Sequence, residues 1–177
     1  MRLQISEPLP LSADEVFHLL RDHMPKLVPY LYDITRIEVT DRHEADGTVK
    51  LINHWYGALT SVPGPVRKFA SQDLLSWKDH ALWTTSTMSA AWWLEPRIGA
   101  KVFECKGTTS VHVEGNASSL HMDIDLQIHA GNVPGVPRIL ARRFAPQIEA
   151  TIARQLTPNM KNMAVSIRNY AADAAKG

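Results

Sequence analysis

One cysteine, Cys105, is all that the chain contains. An internal disulfide is therefore excluded, no cysteine-based metal spacing exists, and a reducing cytoplasm is the expected compartment. Long apolar runs are missing as well: nothing approaches the roughly 18 consecutive residues that span a bilayer, so no transmembrane helix is predicted. The opening MRLQISEPLPLSADE lacks a basic segment followed by an apolar stretch and a small-residue cleavage site, and does not read as a signal peptide. A glycine-rich phosphate loop and a Gly-x-Ser-x-Gly nucleophile elbow are both absent. Net charge is nearly balanced at +1, and no nucleic-acid motif with interleaved aromatics occurs, so no nucleic-acid partner is predicted. Charge is nevertheless uneven along the chain. Between Arg138 and Arg168 stand Arg142, Arg143, Arg154 and Lys161, against a single acid, Glu149.

What is present suits a soluble globular chain. The 177 residues are 45% hydrophobic and 21% charged, enough for a sizeable core, and residues 1–177 read as one domain. The spacing predicts a strand over Arg2 to Pro8 and a helix over Ala13 to Arg21. Ser12 followed by Glu15 forms a capping box, with Leu11 and Val16 placed for a hydrophobic staple. A second short helix is predicted over Pro25 to Leu31, with Pro25 suited to its first turn.

From Ile34 to His129 the pattern alternates, which predicts strands. In ITRIEVTDRHE, Ile37 and Val39 share one face; ADG at 45 to 47 marks a hairpin turn, and TVKLINHWYG returns. KVFECKGTTSVHVEG places Phe103, Cys105, Val111 and Val113 in one phase. SLHMDIDLQIH places Leu120, Met122, Ile124, Leu126 and Ile128 on one face, with His121, Asp123, Asp125, Gln127 and His129 on the other, as in a sheet wet on one side. The connection GALTSVPGPVRKFASQ, residues 57 to 72, is of a length more often functional than decorative. Beyond it, Leu140, Phe144, Ile148, Ile152, Leu156, Met160, Met163, Ile167 and Tyr170 recur at helical spacing. Pro146 and Pro158 should kink or segment that long amphipathic helix, and Thr157-Pro158 has the order of a fresh start.

Catalytic constellations are weak. The row His121, Asp123, Asp125 and His129 carries metal-ligand residue types, but it lies opposite the apolar face and should meet water, so no metal site and no cofactor are predicted. Cys105 shares its phase with Phe103 and Val111 and reads as a small buried residue. His18 and His23 match one helix face poorly. His112 should face outward, whereas alternation does not settle His54 or His80. No catalytic residue is assigned. In NHWYG, Asn53 and Trp55 fall in phase with Val49 and Leu51 and should point inward.

The element order is strand, two short helices, about six further antiparallel strands, then a long C-terminal helix. With SADEVFHLLRD, ITRIEVTDRHEADGTVKLINHWYG and GVPRILARRFAPQIEATIARQLTPNMKNM, that order resembles the helix-grip superfamily of START-type, birch-pollen-allergen-like and polyketide cyclase proteins. The resemblance implies an α+β helix-grip fold, in which a curved antiparallel sheet of six to seven strands wraps the C-terminal helix around an apolar cavity. It further implies binding or transport of a hydrophobic small molecule such as a lipid, a quinone or an aromatic polyketide-like ligand. The lining expected from it is Asn53, Trp55, Trp77, Trp83, Trp92, Phe103, Met122, Ile124, Phe144, Ile148, Ile152 and Met163. The lone Cys105 excludes the iron-sulfur domain of the ring-hydroxylating oxygenases, and EADGTV offers only Gly47 where the plant branch has a glycine-rich loop. A cyclase or aromatase acting in the same cavity is the enzymatic alternative, with Asn53, His80 and Arg97 as its polar groups. A protein-interaction module is a third reading. The basic C-terminal face reads ordinarily as solvated; its sharper reading is peripheral docking to an anionic membrane, joined by Arg67 and Lys68.

WKDHALWTTSTMSAAWWLEP, residues 77 to 96, holds four of the five tryptophans. Trp77 and Trp83 lie an even number apart and share a face with Asp79 and Ala81, whereas Trp92 and Trp93 are neighbours and must face opposite ways. The stretch is expected to fold as two strands joined near Thr85 to Met88, with at most three indoles inward.

Overall fold

Local signals dictate the first elements of the computed structural model, which describes residues 1–58, 73, 75–97, 103–129, 132, 139, 143 and 145–176. Strand β1 (Arg2–Leu9) leads into helix α1 (Ala13–Asp22). The capping box of α1 forms as expected: Glu15 N–H donates to Ser12 Oγ at 3.3 Å and Ser12 N–H to Glu15 Oε2 at 2.9 Å. Ser12→Ala is therefore expected to lower stability by about 1 kcal/mol, read as a reduced midpoint in urea at unchanged slope. A 3-10 helix (Met24–Tyr30) follows, at the place where a second short helix was expected.

The alternating stretch folds into β2 (Ile34–Ala45), β3 (Thr48–Gly57), β4 (Ser76–Thr84), β5 (Ser89–Pro96), β6 (Phe103–Glu114) and β7 (Ala117–Ile128). With β1 they form one seven-stranded sheet in the order β1-β7-β6-β5-β4-β3-β2, every pair antiparallel. The β2–β3 turn works because Asp46 and Gly47 both adopt positive φ, the requirement of a tight two-residue hairpin loop. Between β4 and β5 the chain turns through Thr85–Thr87 and a left-handed Met88, at the place the sequence suggested.

Two expected apolar rows fray at their ends. Ile37 is buried, but Val39 on the same row is 47% exposed, because a register shift between Val39 and Asp41 carries edge strand β2 off the core. Val113 keeps its phase with Val111 yet is 68% exposed, at the tip of the β6–β7 hairpin beside the Gly115 turn.

Helices α2 (Ala145–Lys161) and α3 (Met163–Ala174) close the chain. The fresh start anticipated at Thr157-Pro158 does not occur: Pro158 lies inside α2, and the interruption comes at Asn162. Asn162 N–H bonds the Pro158 carbonyl and Ser166 N–H the Asn162 carbonyl, so the chain stays helically linked across the break. Side chains tie this end to the start of the molecule. Ser166 Oγ donates to the Tyr30 carbonyl at 2.9 Å, the Asn159 amide bonds both the N–H and the carbonyl of Tyr32, and Arg168 donates to the Pro8 carbonyl at 2.8 Å. Arg168, counted above in the basic face, is thus committed to β1. Leu120, Ile124 and Leu126 of β7, Val16, Phe17 and Leu20 of α1, and Met160, Met163 and Ile167 of α2 and α3 belong to one continuous core. The 57–72 connection lies almost wholly outside the described residues, as do Arg67 and Lys68.

Candidate functional site

Alternation on β4 turns Trp77, Asp79, Ala81 and Trp83 to the inner face of the sheet, while Lys78, His80 and Leu82 face out. Antiparallel pairing sets Trp55 of β3 opposite Trp77, and Trp92 of β5 opposite Ala81. Trp55 and Trp77 stack at 6.0 Å between ring centres, and Trp83 is held edge-on by Phe17 of α1 at 5.4 Å. Room for Trp92 comes from β6, where Gly107 is its cross-strand partner.

The result is a void of about 100 Å³ between the sheet and the helices. Among the described residues its lining includes Trp55, Trp77, Trp83 and Trp92, together with Met24, Met122, Met160 and Met163. These are four of the chain's five tryptophans and four of its six methionines. Rigid indoles thus share one wall with thioether side chains that repack easily.

Polar groups in this wall are few. Thr109 accepts the Trp92 indole N–H at 3.0 Å, and Asn159 is held by its bonds to Tyr32. Asp79 is the one carboxyl among the lining residues. Asp79 is half-buried and borders the void. Burial pushes its carboxyl up to about 6, opposed by the side-chain N–H groups of Asn53 and Trp55, which favour the anion. Asn53 stands directly across β3 from Asp79, and Trp55 lies diagonally two positions on. The Trp55 indole is near enough to act on Asp79 electrostatically but does not reach hydrogen-bonding geometry, and its Nε1 has no partner among protein atoms.

The expected lining residues distribute as follows. Trp55, Trp77, Trp83, Trp92, Met122 and Met163 border the void. Asn53 is buried beside it, whereas Phe103 and Ile124 are packed in the core off its wall. Phe144, Ile148 and Ile152 fall outside the described side chains. The other polar candidates point elsewhere. His80 lies on the outer face, stacked on Trp93 at 3.9 Å and bonded to Glu95 at 2.8 Å, and Arg97 pairs with Asp73 at 3.0 Å. Neither reaches the void, because adjacent strand positions face opposite ways. Trp93 is accordingly the outward indole, 49% exposed.

No group of three or more metal-ligand residues converges among the described residues. Asp123 of the His121–His129 row is taken by Arg2, and His121 by Ser119. Cys105 is buried and its thiol is pushed up to about 12 by burial, with nearby Asp79 and Asp125 adding to the effect, so it stays protonated. Sequence reasoning passed over Asp79 as a functional group, although its phase with Trp77 and Trp83 was readable; Thr109, Leu94 and Asn159 carried no such signal.

No protein-family model matches the chain, and no curated protein matches it. Solved structures do. A protein of Thermus thermophilus, TTHA0849, superposes with a TM-score of 0.67 at 14% identity, covering 98% of this chain and 99% of that one. The Zhui aromatase/cyclase of Streptomyces sp. R1128 gives 0.57 at 12% identity over 99% and 93%. Norcoclaurine synthase of Thalictrum flavum gives 0.54 at 15% identity over 97% and 86%. End-to-end superposition at such low identity speaks for the fold alone, and it agrees with the sheet order and the C-terminal helices: the chain has the helix-grip fold.

Proposed function

We propose that the protein binds a hydrophobic small molecule in the void between the sheet and helices α2 and α3. The lining carries this reading: an apolar pocket rich in indoles and thioethers, with one convergent polar cluster, is the usual composition of a small-molecule site. Its size narrows the ligand. About 100 Å³ lies below the roughly 300–1,000 Å³ typical of ligand pockets. A single small ring suits it as it stands. A lipid, quinone or polyketide-like body needs more room, which the methionines of the lining can give by repacking.

Mass spectrometry of small molecules extracted from natively purified protein tests the proposal, followed by titration of a lipid, quinone and aromatic panel against tryptophan fluorescence. Saturable quenching by at least one class is expected; an empty extract and a flat response to the whole panel would remove the reading.

One observation favours a second reading, cyclase or aromatase chemistry in the same pocket. A carboxyl that titrates near 6 exchanges protons readily at neutral pH, as a general acid-base group must. The similar solved structures of an aromatase/cyclase and of norcoclaurine synthase are compatible with it. Turnover of a polyketone that disappears in Asp79→Asn would support this reading over simple carriage.

A further inference from the structure

One corner of the void keeps polar groups that the protein's own hydrogen bonds leave unsatisfied. The protein supplies Trp92 Nε1–H with Thr109 Oγ1, and supplies the Asn159 amide with the backbone of Tyr32. It supplies no bond of full hydrogen-bonding geometry for Trp55 Nε1–H, although Trp55 is only 6% exposed, nor for Asn53 Oδ1, although Asn53 is 2% exposed. A buried polar group without a partner costs about 1–3 kcal/mol, and native chains seldom leave two at one spot without a reason. Here Asn53 stands directly opposite Asp79 and Trp55 lies diagonally two positions on, and Asp79 borders the void between the sheet and the helices.

We propose that this corner recognises a hydroxyl on a small apolar ring, the O–H donating to the Asp79 carboxylate while the same oxygen accepts the Trp55 indole N–H. The inference rests on the ligand-binding reading above and specifies the polar end of its ligand. A hydroxyl is the smallest group that donates and accepts at one atom, which is what an anionic acceptor beside an idle donor demands. A carbonyl or ether would satisfy Trp55 but turn its lone pairs toward the carboxylate. An ammonium would satisfy Asp79 but set N–H against N–H at Trp55. A hydrocarbon would leave both groups idle. At neutral pH the carboxyl is mainly ionised, and a hydrogen bond to a charged acceptor is the stronger kind.

The experiment follows the five indole N–H resonances of the full-length, isotope-labelled protein at pH 7.5, with that of Trp55 assigned through Trp55→Phe. Phenol, benzene and benzylammonium are titrated separately. Phenol is expected to bind at least about tenfold more tightly than benzene, the equivalent of one charge-assisted hydrogen bond, and to shift the Trp55 indole resonance, which benzene leaves in place. The advantage of phenol should shrink at pH 5, where Asp79 is protonated, and in Asp79→Asn. The wild-type comparison stands without any variant. Equal binding of benzene and phenol would overturn the hydroxyl inference while leaving a hydrophobic pocket intact. Benzylammonium binding more tightly than phenol would overturn it in favour of a cation site. Failure of all three to bind would overturn the hydroxyl inference, and only an empty extract with a flat response to the lipid, quinone and aromatic panel would remove the reading on which it rests.

Discussion

Asp79→Asn is expected to be more stable than the native protein at pH 8, by up to about 3 kcal/mol, and close to it at pH 4. The sign follows from linkage. In the unfolded chain the carboxyl titrates at its ordinary 3.8, and in the folded protein burial raises that to about 6. A folded value above the unfolded one means that the acid's contribution to stability is complete below 3.8 and is lost as the pH rises through about 6. A difference of roughly two pH units at 1.36 kcal/mol each gives the magnitude. Asparagine keeps the shape, can turn its carbonyl oxygen toward the N–H groups of Asn53 and Trp55, and has no charge to desolvate. For a chain of this size the gain corresponds to a melting temperature higher by about 6–12 °C at pH 8. Parallel thermal melts of both proteins from pH 4 to pH 8 should show the gap opening between about pH 4 and pH 7. A variant less stable than native at pH 8 would mean that Asp79 is satisfied in place and is not a strained functional group. Stability gained by removing a polar group from a pocket is a common signature of a site kept for its use.

The second large effect is expected at Gly107. A Cβ built there would overlap the Asp123 carbonyl oxygen of β7 and come within 2.7 Å of the Trp92 indole. One obstacle is backbone in a paired strand and the other is a ring already fixed by its bond to Thr109, so neither yields easily. Gly107→Ala should therefore destabilise by about 3 kcal/mol, the upper part of the overpacking range, lowering the melting temperature by about 6–12 °C. Displaced toward the void, Trp92 would also fill the space proposed for a ligand. Thermal melts and a repeat of the fluorescence titration read both consequences. Alanine tolerated with unchanged stability and unchanged binding would show that β6 and β7 can separate locally, contrary to the close fit described above.

Much of this architecture is readable locally. Ser12 and Glu15 announce α1, the alternation in β7 names its buried face, and Asp46-Gly47 dictates the β2–β3 hairpin, because each signal acts within a few residues. Neighbouring Trp92 and Trp93 had to face opposite ways for the same reason. The rows that failed did so where a local period meets a global boundary: Val39 at the edge of a bulge, Val113 at a hairpin tip, and Pro158 inside a helix whose break comes at Asn162.

The site is another matter. By itself the sequence determined that Trp77, Asp79, Ala81 and Trp83 form one row, since a strand's period of two admits no other arrangement. Only the tertiary structure decided that this row faces the helices, that Asn53 stands across from Asp79, and that Gly107 clears space for Trp92. Those relations join residues far apart in the chain, through strand register and layer packing. An ordinary aspartate thereby becomes a carboxyl held away from bulk water beside an idle indole N–H, because its environment is made by other strands.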